Sequence, residues 1–314
     1  MRSSIWPDRN LPARSRQQYG QYRRSRRSGG VMLSEVRTER RVTVQGISTM
    51  YYEAGQGPAV LLLHGNATSP RDWWRTMEEL KASRRVIALA LPGFGFTSPL
   101  GSLDPARLVA FISDFLDELD AANVILVGHS MGGSLALEFT LTHPSRVTRL
   151  VLADSAGLGR SANPLMIAEA LIPTELAKAV ILILTLPGFD VGRVATGALQ
   201  LRQPWRVPWY IWATQVRLSH SRTFLLQSFR TVREGVGLQG QRYVYKDRLG
   251  EIRVPTLIVW GLTDLLFPVR HAVGAVRRLP QGKLSIIPAA GHASYVECHE
   301  EFIDAIGPFV RDGE

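Results

Sequence analysis

The chain has little that a secreted or membrane-spanning protein requires. It contains one cysteine, Cys298, so no internal disulfide can form, and that count fits a reducing compartment. Its longest apolar run, Ala179–Leu184, with Leu186 soon after, stops far short of the ~20 residues a spanning helix needs. No apolar segment follows the basic N-terminus, so no secretory signal is visible. A cytoplasmic protein is the expectation. Acids are also in short supply, with 27 Asp and Glu against 37 Lys and Arg and a net charge of +10. Spread over a folded surface, that imbalance would suggest a nucleic-acid or membrane partner. It is not spread: residues 1–31 hold eight arginines and one acid, Asp8, which leaves the remainder of the 314 residues at only +3. A nucleic-acid partner is therefore not expected.

Residues 1–31 are rich in Arg, Ser, Gln, Tyr and Gly and nearly devoid of aliphatic side chains, so they cannot bury enough surface to fold. Four readings fit this composition: a solvated disordered tail, a polybasic arm for anionic lipid or nucleic acid with weak contact at a membrane surface, an organelle transit peptide, or an artefact upstream of a true start at Met32. The whole chain is 45% hydrophobic and 20% charged, enough for one large core and an inserted subdomain.

From residue 36 apolar runs alternate with amphipathic stretches. Arg41–Val44 and Thr49–Glu53 read as an opening antiparallel pair. Ala59–Leu63, Arg85–Leu89, Val124–Val127, Val147–Ala153, Thr256–Trp260 and Leu284–Ile287 read as strands of a parallel sheet. Helices are expected over Pro70–Lys81, Asp104–Leu119, Ser130–Thr142, Val269–Leu279 and Glu300–Val310. Asp104-Pro105 is a good N-cap and first-turn pair. Between Ala156 and Lys246 the rhythm breaks into short helices punctuated by Pro164, Pro173, Pro187, Pro204 and Pro208, with no buried strand expected. Trp205, Trp209 and Trp212 in this stretch are candidates for a greasy substrate pocket.

Gly128-His129-Ser130-Met131-Gly132-Gly133 directly follows a strand and opens a helix. Gly-x-Ser-x-Gly in that setting makes a turn so tight that only glycines fit beside the serine, whose hydroxyl then stands clear of the sheet edge. A serine nucleophile needs a base, and the base an orienting acid. Asp264, after Thr256–Trp260, and His292, after Leu284–Ile287, stand in the order Ser…Asp…His at carboxyl ends of strands, where open α/β sheets gather their ligands. Asp154 is a rival acid. His129, His143, His220, His271 and His299 are weaker candidates for the base, and His64 is better placed to brace a loop. Backbone N–H groups of Asn66 and Met131 are the expected donors to an oxyanion, with the Asn66 side chain more suited to forming a turn.

These segments, with His64-Gly65, Leu91-Pro92-Gly93-Phe94-Gly95-Phe96-Thr97-Ser98, Trp260-Gly261-x-x-Asp264 and Gly291-His292, resemble the α/β-hydrolase superfamily over essentially all of residues 32–314. The resemblance implies an α/β fold. Its eight-stranded, mostly parallel sheet would carry helices on both faces, a core of residues 32–156 and 247–314, and a helical cap over 157–246. It implies no metal and no organic cofactor. Within the superfamily the chain is most similar to small single-domain bacterial hydrolases of esters or ring-cleavage products, a similarity shared by Phe229–Val232 and Gly240–Arg242. Ala90 replaces the acid usual before the Pro-Gly loop. The loop His64–Ser69 lacks the Gly-Pro-Gly-like insertion of carbon–carbon bond hydrolases, and Ala293 stands where those enzymes often carry Trp. Ser130 sets the chain apart from epoxide hydrolases and haloalkane dehalogenases, which use Asp. Cofactor-free haloperoxidases share the serine triad, which leaves room for perhydrolysis as a side activity.

The expectation is a serine hydrolase of a small to medium, largely apolar carboxylic ester, working through Ser130, His292 and Asp264. The alternatives are a carbon–carbon bond hydrolase of a vinylogous diketone and a slow-turnover hydrolase-like receptor. The partner is an apolar ester or ketone; oligomeric state is left open.

Overall fold

A computed structural model describes residues 35–185, 197–198 and 200–311. The basic segment 1–31 lies outside the described residues. The alternating runs form β1 (Glu39–Val44), β2 (Ile47–Ala54), β3 (Ala59–Leu63), β4 (Arg85–Leu89), β5 (Val124–His129), β6 (Val147–Ala153), β9 (Thr256–Gly261) and β10 (Gly282–Ile287). They assemble into one eight-stranded sheet in the order β1-β2-β4-β3-β5-β6-β9-β10. β2 pairs antiparallel with β1 and with β4, and all other pairings are parallel. The β1–β2 turn is Gln45-Gly46, with φ of 49° and 76°, the left-handed pair that matches strand twist in a two-residue hairpin.

Every residue of β3 and β5 is buried, which is why both read as unbroken apolar runs. Side chains alternate between the faces. Leu61, Leu63, Val124 and Leu126 join one core with α2 (Pro105–Glu118), α3 (Met131–Thr142) and α8 (Arg270–Val276). Val60, Leu62, Ile125 and Val127 join the other with α1 (Trp74–Leu80), α9 (Ser294–Glu297) and α10 (His299–Arg311). Asp104 caps α2 by accepting a 2.9 Å hydrogen bond from the Ala106 amide, with Pro105 at the first turn.

Between β6 and β9 run α4 (Pro164–Leu171), α5 (Thr174–Leu184), α6 (Trp209–Ser219) and α7 (Arg222–Gly235). The first three of these pack on α7. A hairpin of two residues per strand follows, β7 (Val236–Gly237) with β8 (Gly240–Gln241), too short to show as an alternating pattern. Gln241 ties the end of this connection to its beginning: its side chain accepts from the Gly157 amide at 2.8 Å and donates to the Ser161 carbonyl at 3.2 Å. Among the described residues no helix is long and apolar enough to cross a membrane.

The stretch expected as one helix over Pro70–Lys81 divides into a 3₁₀ turn, Pro70–Trp73, and α1. Trp73, at φ −87° and ψ −5°, is the joint. The turn buries Asp72 against Ser69 and the Tyr295 hydroxyl, and burial pushes its carboxyl from 3.8 up to about 7. The folded protein thus retains a proton on Asp72 that the unfolded chain releases above pH 3.8. The stability this contributes is fully present below that pH and is lost as pH rises through about 7. Asp72→Asn, which cannot ionise, is expected to flatten part of that decline in urea midpoints taken across the range. A variant with the wild-type slope would refute this.

Candidate active site

β5 delivers the chain to Ser130, whose φ of 51° and ψ of −116° lie outside the regions an L-residue ordinarily occupies. Four backbone bonds hold it there. Its N–H donates to the Ala153 carbonyl at 3.1 Å, and its carbonyl accepts from Gly133, Ser134 and Ala156 at 3.0, 3.1 and 3.0 Å. Two glycines make the turn sterically feasible. A Cβ on Gly128 would overlap the Gly132 carbonyl, and one on Gly132 would run into the Leu63 and His64 carbonyls at the end of β3.

Above this turn the imidazole of His292 lies with Nε2 2.9 Å from Ser130 Oγ and Nδ1 2.9 Å from Asp264 Oδ2. An ionised carboxylate can only accept, so Nδ1 carries the hydrogen and the Ser130 hydroxyl donates to the Nε2 lone pair. Asp264 Oδ1 is held by the Leu266 and Phe267 amides at 2.8 and 3.0 Å, and the Phe267 ring stands edge-on to His292. All three side chains are buried. Burial of the ring disfavours its charged form. The Asp264 charge and hydrogen bond, with the charge of Asp154 behind, outweigh that and raise the imidazole above its ordinary 6.5.

Asp154 is not on His292. Its Oδ1 accepts from the Gly261 amide at 2.7 Å, and its Oδ2 accepts from the Ser294 amide and hydroxyl at 3.0 and 2.6 Å. It joins β9 to α9 beneath the histidine loop. Burial, then the Asp264 charge, raise its carboxyl to about 7. Sequence reasoning missed another buried acid, Glu297, five residues past His292 in an apolar patch. Its carboxylate accepts from the Gly291 amide at 2.7 Å and from the Arg202 and Gln203 amides at 2.7 and 2.8 Å, while His292 N–H donates to the Gln200 carbonyl at 3.1 Å. The histidine loop and segment 200–203 are therefore fastened together.

The other histidines have different work. His64 accepts from the Leu91 amide at Nε2 (3.1 Å), so its Nδ1–H donates to the Gly65 carbonyl at 2.8 Å; burial drops its pKa to about 4. That ring braces the loop bearing Asn66 against the loop after β4. Burial also holds His129 well below 6.5, and its Nε2–H donates to the His292 carbonyl at 2.8 Å. His271 is lowered to about 4 by burial and the neighbouring Arg270 charge. The Asn66 side chain donates to the Ser228 carbonyl at 3.2 Å, tying its loop to α7. The Met131 amide is among the N-terminal N–H groups of α3 that have no partner within the helix. Among the described residues no group of three or more His, Cys, Asp or Glu is placed to hold a metal ion.

Ser130, Asn66 and Met131 all line one cavity of about 740 Å³, counting its part open to solvent. Leu103, Leu108, Leu135, Met166, Val232 and Phe267 make most of its apolar wall, and Glu234 is the one charged residue among the described lining. The three tryptophans expected at a pocket lie elsewhere. Trp205 and Trp209 are 76% and 77% exposed, and the half-buried Trp212 packs on the α1–α10 core. None of the three is among the residues that line the cavity at Ser130, a placement that apolar composition does not encode.

A family model described as alpha/beta hydrolase fold matches residues 58–297. An uncharacterized protein of Mycobacterium tuberculosis is 31% identical over 280 residues, covering 87% of this chain and 81% of the relative. The 2-hydroxy-6-oxononadienedioate/2-hydroxy-6-oxononatrienedioate hydrolase of Comamonas testosteroni is 28% identical over 296 residues, covering 90% and 99%. The crystal structure of a membrane phospholipase A, a bacterial virulence factor, superposes with a TM-score of 0.73 at 24% identity, covering 95% and 93%. That last likeness shows a shared fold.

Gly132→Ala tests the steric account of the turn. The added methyl meets backbone carbonyls that cannot rotate away, so a loss of about 1–3 kcal/mol or more in urea unfolding is expected. Wild-type stability in that variant would mean the approach of α3 to β3 is looser than described.

Proposed function

The chain belongs to the alpha/beta hydrolase fold family, and from that premise we propose that it is a serine hydrolase of a neutral, largely apolar carboxylic ester. One observation carries the reading: the hydrogen-bonded series Ser130–His292–Asp264 opens onto an apolar cavity. His292 Nε2 takes the Ser130 proton as Oγ bonds to the ester carbonyl carbon, and Asp264 stabilises the imidazolium that results. The amides of Asn66 and Met131 hold the oxyanion; one such donor is worth ~10²–10³ in rate. Collapse of the intermediate breaks the carbon–oxygen bond, and the alcohol leaves with the proton from His292. Water, deprotonated by the same nitrogen, then attacks the acyl group. The acid departs and Ser130 regains its proton.

Carbon–carbon bond hydrolysis by the same residues is the second reading, favoured by the Comamonas relative, whose named substrates are dicarboxylates. The cavity argues against it. A bound carboxylate needs a cation or an array of donors, and the charged residue on the described wall is itself an acid, Glu234. Ala293 and the short His64–Ser69 loop weigh the same way.

Turnover of p-nitrophenyl esters from acetyl to dodecanoyl tests the proposal. Ser130→Ala is expected to lower turnover by about 10⁴-fold or more with its melting temperature retained. Turnover close to wild type in that variant, or faster bleaching of a ring-cleavage product than hydrolysis of any ester, would overturn the reading. Because the base must be neutral and its pKa is raised, kcat/KM should fall with acid along a limb centred above pH 6.5.

A further inference from the structure

The backbone around His292 is held from two sides. From the core, His129 Nε2–H donates to the His292 carbonyl at 2.8 Å, and the Thr263 amide and hydroxyl donate to the Ala290 carbonyl at 3.1 and 2.8 Å. From the connection between β6 and β9, the Gln200 carbonyl accepts the His292 N–H at 3.1 Å, and Gln203 Nε2 donates to the Ala289 carbonyl at 2.8 Å. The second approach leaves no room for a side chain. A Cβ on Gly291 would stand 2.7 Å from the Gln200 carbonyl oxygen and 2.9 Å from the Arg202 nitrogen.

Glu297 stands where the two sides meet, at 1% exposure. Its Oε1 accepts from the Gly291 amide, and its Oε2 accepts from the Arg202 and Gln203 amides. Three donors from two segments thus converge on a group that offers only acceptors. Taking a carboxylate out of water is costly, and an apolar side chain would fill the same space without that cost. What the carboxylate adds is direction, because each amide must point at an oxygen. Glu297 is not among the residues that line the cavity at Ser130, so its part is played through the histidine loop. The Gly291 peptide is the lever. A turn there re-aims the next residue, His292, whose ring must keep 2.9 Å bonds at both nitrogens, to Asp264 and to Ser130.

We propose, on the serine-hydrolase reading of this site, that Glu297 is the positioning residue of the base. By drawing segment 200–203 and the Gly291 amide onto one carboxylate, it holds the His292 imidazole in line between Asp264 and Ser130. Its charge acts on the same ring. Against burial, Asp264, then Asp154 and Glu297, raise the imidazole, while the neutral His129 faces it from the end of β5.

Glu297→Gln tests this. An amide nitrogen replaces one acceptor and confronts the donors it served, so the bridge opens on one side. The kcat for a p-nitrophenyl ester is expected to fall about 10–100-fold with KM nearly unchanged. Each chain should still take up one fluorophosphonate at Ser130, at a correspondingly slower rate. The acid limb of kcat/KM should move to lower pH, since a negative charge is lost and the bond to Asp264 is loosened. Gln203→Ala keeps that charge and cuts the bond to Ala289 on a half-buried segment. It should lower kcat less and leave the limb in place. Where Glu297→Gln does not fold, as judged by circular dichroism and melting, Gln203→Ala decides alone. Wild-type kcat or a wild-type acid limb in Glu297→Gln would overturn the proposal. So would a loss confined to KM, or one matched by a smaller fraction of labelled chains. Wild-type protein labelled at Ser130 but inert towards esters would count against the ester reading alone, and the labelling rates then carry the comparison. Wild-type protein neither labelled nor active would remove the serine-hydrolase reading, and the role of Glu297 with it.

Discussion

The close approach of α3 to the end of β3 governs the geometry of everything near Ser130. With no side chain at Gly128 or Gly132, the first turn of the helix lies directly on the Leu63 and His64 carbonyls. Ser130 is forced to φ 51°, a conformation of order 1–3 kcal/mol above ordinary backbone, and four hydrogen bonds from β6, α3 and Ala156 hold it there. The same contact brings the Asn66 loop and the helix N-terminus to one cavity wall. His64, neutral and buried, fixes that loop from behind through both ring nitrogens. Were α3 to stand off by the width of a methyl group, the hydroxyl, the amides and the imidazole would no longer converge.

Around that contact, four buried acids are held by different sets of partners. Asp264 has the His292 ring and two amides. Glu297 has three amides from two segments. Asp154 has two amides and a hydroxyl but faces the Asp264 charge, and Asp72 has only hydroxyls; burial raises both carboxyls to about 7. For Asp154 the neighbouring carboxylate adds to burial in opposing the ionised form, while its amide and hydroxyl donors favour it.

The sheet was legible in the sequence because burial on both faces leaves an unmistakable mark: β3 and β5 are unbroken aliphatic runs. The order of Ser130, Asp264 and His292 was legible because each follows a strand-like run, and parallel strands bring those ends to one edge. The 3₁₀ turn at Pro70–Trp73 was not, since its proline start and apolar spacing also suit an α-helix. Nor was the facing of Trp205 and Trp209, because a pocket wall and a bare surface draw on the same residues. Glu297 gave no sequence signal and Asp154 read as a rival acid for the histidine; only the tertiary structure surrounds them with amides.

The hydrogen bonds of Gln241 and Glu297 constrain how the segment between β6 and β9 moves. Gln241 closes its root by joining residues 157 and 161 to 241, and Glu297 fastens its middle at Arg202 and Gln203 to the histidine loop. A strap held at root and midpoint cannot swing open as a plate on one hinge. Its helices α4, α5 and α6 all pack on α7, so they are tied to one another as well as to the core. Met166 of α4 and Thr231, Val232, Glu234 and Gly235 of α7 all line the cavity, so the wall facing Ser130 is built from two helices of this strap, while its midpoint is fastened to the imidazole loop.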